Sequence, residues 1–302
     1  MRLRVVTLNV WNQQGDPKRN ELINRELRRL DPDLVSFQEV IHSPQLNQLE
    51  KLIHGTGLHG THQAEVLRTV PPHADRFGGS AVATRWPHRV EEVLDLRMSD
   101  ANDVPWCSLA AAVPLPGEGE LLFIAATTSW RLAAESARER QVVALSDLDA
   151  RHRRALPTII AGDFNATPDA ASLRYLRGLQ SLGGRSVRYH DAWEVAGEGS
   201  GYTWNVDNPN AKSEIGMIVR QPNHRRRVDY VFTGSWDAHP KAACEIRAVS
   251  LAFDQPVDGI FASDHFGVVA DLDVRADPAT CDTAPGAVAR ESGGLGRSRL
   301  QP

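Results

Sequence analysis

Seven residues in five places along this chain carry side chains that hold a cation or move a proton. Asn9 follows the apolar run "VVTL", Glu39 follows "LVSFQ", and Asp163 and Asn165 come after "TIIAG". Asp229 lies inside "RRRVDYVF", and Asp264 and His265 stand together at the entrance of "FASDHFGVV". A charged group is costly to bury unless it is paired or coordinated. Taken singly, each of these reads as a turn or cap residue at a strand end. Five such places read together as a site, because strand ends of an α/β fold converge on a crevice. An oxygen-rich set with one His and no Cys suits a hard cation, Mg²⁺ or Mn²⁺, better than Zn²⁺. Glu39 and Asp264 are then the anionic ligands. A His beside a metal-binding carboxylate, with Asp229 to hold its ring, is arranged to act near neutral pH as a base or as a phosphate contact.

The elements that position these residues follow from periodicity. "RLRVVTLNV" is a β-branched strand run, and "KRNELINRELRRLDPD" places Leu22, Ile23, Leu27 and Leu30 on one side of a helix that Pro32 stops. "DLVSFQEV" is a second strand. "GGSAVATRWP" and "LLFIAATTSW" are further strands, the latter leading into the helical "AAESARERQVVALSDLDARH". "PTIIAGDF", a short helix near "PDAASLRYL", and the late strands "RRVDYVF" and "DHFGVVADLDV" complete the series. Several late strands adjoin without helices between them, which predicts a mixed rather than a parallel sheet. Residues 276–302 are rich in Gly, Pro, Ser and Ala with no apolar period and read as a disordered tail behind one domain, 1–275.

Composition limits the partners. The chain has 302 residues and a formal net charge of −4, which argues against an overall attraction to nucleic acid or to an anionic membrane. A local basic patch, "NHRRRVDY" at 223–230, is the exception. No run approaches the ~18 apolar residues of a membrane span, and "MRLRVVTLNVWNQQ" has no signal-peptide pattern, so a cytoplasmic protein is expected. Cys107, Cys244 and Cys281 show no CxxC spacing and read as plain thiols. His42, His54, His59, His62 and His73 have no partner spacing and read as exposed loop histidines.

"TLNVW", "DLVSFQEV", "GGSAVATRWP", "AGDFNATPD", "RRVDYVF" and "SDHFGVV", in this order, resemble the endonuclease/exonuclease/phosphatase family of DNase I-like metal-dependent phosphoesterases. The resemblance spans roughly residues 1 to 275. It implies an α/β, four-layered sandwich: two mixed β-sheets packed face to face with helices outside. It also implies Mg²⁺-dependent hydrolysis of a phosphate mono- or diester, with Glu39 as main metal ligand and Asn9 and Asp264 close to the metal. Asp163 would orient or deprotonate the attacking water, Asn165 would bond the phosphoryl oxygens, and His265, held by Asp229, would contact the phosphate or act as base.

One departure from the family concerns the end of the strand before the long helix, where many members carry a phosphate-contacting His. "FIAATTSWRLAAESARERQ" aligns Thr127 with that position, and Arg131 or an arginine of "HRRR", Arg227 among them, is the candidate replacement cation. Trp11, Trp130 and Trp204 are candidates to line a substrate groove, and Asn208 to support the site. A DNA or RNA nuclease is the alternative activity, disfavoured by the acidic charge and sparse basic surface. A binding or scaffold protein with a degraded site is the third reading, motivated by Thr127.

Overall fold

The computed structural model describes residues 1–68, 74–98 and 106–276. Two six-stranded sheets face each other within it. The first runs in the order Ala242–Ala252, Gly267–Ala276, Arg2–Asn9, Leu34–Val40, Gly79–Thr84, His59–His62. The second runs Tyr189–Asp191, Asp229–Gly234, Ile159–Asp163, Gly119–Thr127, Cys107–Leu115, Arg89–Asp95. Each sheet has one parallel pair near its centre, Arg2–Asn9 with Leu34–Val40 and Ile159–Asp163 with Gly119–Thr127, flanked by antiparallel neighbours. Parallel neighbours need a crossover, and the helices Arg19–Leu30 and Glu135–His152 supply the two. The result is the four-layered sandwich that the family resemblance implies, with the mixed sheets that the strand pattern predicts.

Alternation along the strands divides the core into layers. Leu3 and Val5 turn inward between the sheets, while Val6 and Leu8 turn outward under the helix Arg19–Leu30. Phe123 and Ala125 likewise face the other sheet, while Leu122 and Ile124 meet Val142, Leu145 and Leu148 of the long helix. Central strands are therefore buried on both faces, which is why they read as continuous apolar runs. The first helix buries Ile23, Leu27 and Leu30 as its spacing predicts, with Leu22 half-buried at the flank. It ends on Asp31 in the left-handed conformation (φ 47°), one residue before Pro32.

Toward one end the layer between the sheets becomes polar. Thr7, Ser36, Gln38, Ser80 and Thr127 are all buried there. Ser36 Oγ donates across the sheets to the Ala161 carbonyl (2.8 Å), Gln38 Nε2 donates to Ser36 Oγ (2.7 Å), and the Ser80 and Thr127 hydroxyls lie 3.2 Å apart. Buried hydroxyls are costly without partners, so these bonds join the sheets where the apolar filling stops.

Some expectations need correction. His62 is buried, not exposed: its Nε2 meets the Val40 carbonyl (2.9 Å) and its Nδ1 accepts from the Ala64 amide (3.0 Å), capping a short helix. His73 and Cys281 lie outside the described residues, as does the predicted tail apart from Ala276, which closes the last strand. Among the described residues no helix is long and apolar enough to cross a membrane.

Candidate active site

The seven residues singled out in the sequence meet at one edge of the sandwich. Asn9 ends its strand, and the neighbouring strand carries Glu39. Glu39 lies where the pairing with Gly79–Thr84 slips between Phe37 and Val40, and its φ is 59°. A left-handed glutamate is strained and needs support from its surroundings. Gly78 (φ +75°) leaves the room for it, since a Cβ there would lie 2.5 Å from the Glu39 carbonyl carbon. From the second sheet, Asp163 pairs with Thr127 on one side and with Asp229 on the other. Asp264 and His265 enter from the loop before Gly267–Ala276.

Hydrogen bonds tie the two halves together. Asn9 Nδ2 donates to Glu39 Oε1 (3.1 Å) and to Asp163 Oδ2 (3.2 Å), so one amide bridges a carboxylate from each sheet. Asn12 Nδ2 donates to the other Glu39 oxygen (3.0 Å), and the Asn165 amide N–H donates to Asp163 Oδ1 (2.8 Å). Ser263 Oγ donates to the Asn9 carbonyl (2.6 Å), which fixes the Asp264 loop to the first strand. Asn208 adds to this, its Nδ2 donating to the Ser263 carbonyl (2.9 Å). His265 Nδ1 and Asp229 Oδ2 are 2.9 Å apart and buried, and Asp229 Oδ1 meets no donor among the described residues.

These groups hold an excess of negative charge. Burial and then the neighbouring Asp264 push Glu39 up to about 8, and burial and then Asp229 push Asp163 up to about 7. Burial also raises Asp264. Burial alone would lower His265, but Asp229 and Asp264 lift it well above its ordinary value. Arg19 cannot neutralise the carboxylates by contact, because its guanidinium is bonded to five backbone carbonyls, those of Val10, Trp11, Asn12, Gln14 and Ala262. Oxygen donors that repel one another in a buried site fit a hard divalent cation, which would relieve the repulsion. Asp163, Asp229 and His265 also bring ligand atoms within 4.8 Å of one another. The Asp229–His265 hydrogen bond occupies Nδ1, and Glu39 and Asp264 offer further carboxylate oxygens in the same cleft.

The expected substrate-contacting residues fare differently. Thr127 is not part of the cleft lining: it is buried in the polar layer between the sheets, where its hydroxyl meets that of Ser80. Arg131 is exposed, with its guanidinium 5.9 Å from the centre of the Trp130 ring, and lies outside the cleft lining. Arg227 is buried against Asp191 (2.8 Å), so it too faces away. The short strand Arg225–Arg226 ends before Arg227, so simple alternation from Asp229 does not sort the three arginines. Arg225 and Arg227 pair with Asp207 and Asp191, while Arg226 between them turns into the cleft and donates to the Asn165 carbonyl (2.9 Å). The sequence names the arginine run without separating Arg226 from its neighbours, and it gives no sign of Asn12, Arg19 or Glu214. Glu214 lines the cleft, and burial and then Asp264 raise it. Unbroken strand parity from Asp229 would put Arg227, not Arg226, on the cleft side; the irregular residues 227 and 228 between the two strands break that parity, and the sequence does not show the break.

The cleft has a volume of about 270 Å³. One wall consists of Phe77 and Trp106, joined by a bond from Trp106 Nε1 to the Phe77 carbonyl (3.3 Å). Trp130 and Leu132 form another, Trp204 and Ile218 a third, and Trp11 stands beneath the Arg19 guanidinium, 5.0 Å from it. Trp11, Trp130 and Trp204 thus all line the groove, as the sequence suggests.

Residues 6–265 match the Endonuclease/Exonuclease/phosphatase family, and the chain belongs to it. Its fold is similar to D. rerio TDP2 complexed with single-strand DNA product, at 20% identity over 90% of this chain and 99% of that one (TM-score 0.67). It is also similar to the endonuclease/exonuclease/phosphatase from Bacteroides vulgatus, at 17% identity over 91% and 100% (TM-score 0.64). The human Nocturnin catalytic domain with bound sulfate matches at 17% over 90% and 94% (TM-score 0.62). At these identities the likeness concerns the fold. Comparison with curated protein sequences gives no significant match.

Proposed function

We propose that this chain hydrolyses a phosphate ester by attack of water, with Mg²⁺ as cofactor and Mn²⁺ as a substitute. The observation that carries the reading is the half-buried Glu39 and the buried Asp163 and Asp264, mutually repelling in one cleft, with a hydrogen-bonded His265–Asp229 pair. Glu39 and Asp264, with Asn9 beside them, would hold the cation. When bound, it neutralises charge on the phosphoryl group and its leaving oxygen. Asp163, pushed up to about 7, takes the proton of the attacking water. His265 is kept cationic by Asp229 and Asp264, and so donates to a phosphoryl oxygen rather than accepting a proton. Asn165, its Nδ2 anchored on the Thr128 carbonyl (3.1 Å), and Arg226 face the same space.

The DNA product bound to D. rerio TDP2 makes a nuclease the natural alternative. Arg226 is the one arginine among the described residues lining this cleft, whereas gripping a polynucleotide takes several phosphate contacts. Hydrolysis of a generic phosphodiester, a phosphomonoester and plasmid DNA, with and without Mg²⁺, tests the proposal. Metal-dependent turnover that is lost in Glu39→Ala and in His265→Ala supports it. Absence of any turnover while Mg²⁺ still binds would point to the scaffold reading, and DNA cleavage well above the small diester would point to a nuclease.

A further inference from the structure

The catalytic groups occupy only part of the cleft; much of the rest of its lining is aromatic and aliphatic. Phe77 and Trp106, Trp130 and Leu132, and Trp204 and Ile218 come from separate chain segments and line the same cleft as the catalytic groups. Two of them are well exposed there, Phe77 at 37% and Leu132 at 42%. Exposed apolar side chains gathered around polar catalytic groups mark a ligand site. The charges complete the picture. Beyond the metal-binding carboxylates and His265, the described lining offers one cation, Arg226, and one further carboxylate, Glu214. A second phosphate on the substrate would face Glu214 with no second arginine to receive it.

We infer that the substrate carries a single phosphate esterified to a bulky aromatic group, which stacks among Trp130, Leu132, Phe77 and Trp106 while Arg226 and His265 meet the phosphate. The volume of about 270 Å³ lies just below the ~300 Å³ at which small-molecule pockets begin, which suits one small ligand rather than many nucleotides. Arg226 is well placed for one phosphate. It is anchored on the Asn165 carbonyl and stands opposite Trp204 in a two-residue ladder, so the guanidinium is held beside the ring wall. This inference rests on the proposed phosphoesterase activity and specifies its substrate.

The test compares two monoesters whose leaving groups are both primary alkanols of similar basicity, 2-(2-naphthyl)ethyl phosphate and n-propyl phosphate, each also as its methyl diester. The full chain with Mg²⁺ should favour the naphthyl member of the preferred pair by about tenfold or more in kcat/KM, the ratio one ring-stacking contact supplies. Trp130→Ala should narrow that ratio, and Leu132→Ala, an exposed position, should narrow it without altering the melting temperature. Binding of 2-(2-naphthyl)ethylphosphonate, followed by calorimetry, provides a readout independent of turnover. Tight phosphonate binding with no hydrolysis of any ester would sink the proposed activity and leave the aromatic subsite standing. Turnover of both esters at equal efficiency would overturn the inference and leave the activity standing. A bisphosphate or an oligonucleotide preferred over the naphthyl ester would also overturn it. So would a short-chain alkyl lipid phosphate preferred over the naphthyl ester, since it would make the walls a lipid site.

Discussion

Replacing Glu39 with glutamine should make the metal-free protein progressively more stable than the wild type as pH rises. In the folded chain Glu39 is pushed up to about 8 by burial and by Asp264, whereas an unfolded glutamate titrates near 4.5. Between those values the folded state binds more protons than the unfolded state, so wild-type stability falls as pH rises through the window. From 4.5 to pH 7, at about 1.4 kcal/mol per pH unit, the penalty reaches at most about 3 kcal/mol, because Asp264 and Asp163 share it. The substituted amide does not ionise and escapes it. The substitution also swaps an acceptor of the Asn9 and Asn12 amides for a donor, at a pH-independent cost of about 1–3 kcal/mol. The slope of the difference with pH is therefore the measurement, not its value at one pH. Urea unfolding of both proteins in EDTA at pH 5, 6, 7 and 8 yields that slope. Repeating the series in MgCl₂ should flatten the wild type, since the cation holds Glu39 ionised, and leave the variant unchanged. A difference independent of pH between 5 and 8, or an equal Mg²⁺ response in both proteins, would refute the assignment of excess charge to Glu39.

Two other perturbations probe the site. Asp229→Asn removes the charge 2.9 Å from His265 Nδ1, so the raised titration of His265 should fall toward 6.5, visible in ring-proton NMR, with kcat/KM down roughly a hundredfold or more; an unmoved titration would contradict the pairing. Gly78→Ala places a Cβ 2.5 Å from the Glu39 backbone at a positive φ and should cost about 2 kcal/mol and weaken Mg²⁺ binding; an unchanged Mg²⁺ titration would show that Gly78 does not position Glu39.

The central strands were legible because burial on both faces leaves unbroken apolar runs, and the polar residues closing those runs stood out against them. Arg89–Asp95 and Cys107–Leu115 were not. The first is half-exposed and carries two glutamates, and the second is alanine-rich with a proline, a composition that disfavours strands until neighbours bury it. Arg19 reads as a solvent-facing residue at a helix start. It is buried because five carbonyls, four from the loop before the helix and one from Ala262, converge on it, and that convergence exists only in three dimensions. Thr127 was assigned by motif alignment, and parity could not have corrected it, because its cross-strand partner Asp163 faces the same way and does line the cleft. The choice among Arg225, Arg226 and Arg227 turned on the two irregular residues, 227 and 228, that separate the two-residue strand Arg225–Arg226 from Asp229–Gly234 and reset its parity.

The bridge that Asn9 makes from Glu39 to Asp163 has a mechanical meaning. Glu39 belongs to one sheet and Asp163 to the other, so the gap between them is gauged by the thickness of everything that fills the space between the sheets. Facing sheets stand about 10 Å apart, a distance set by side-chain volume. Phe123, Leu3 and Val5, far from any substrate, thus act as shims under the reaction. Catalytic geometry is lost steeply with misplacements on the order of 1 Å, so trimming or enlarging one of these shims would detune turnover before it unfolded the protein.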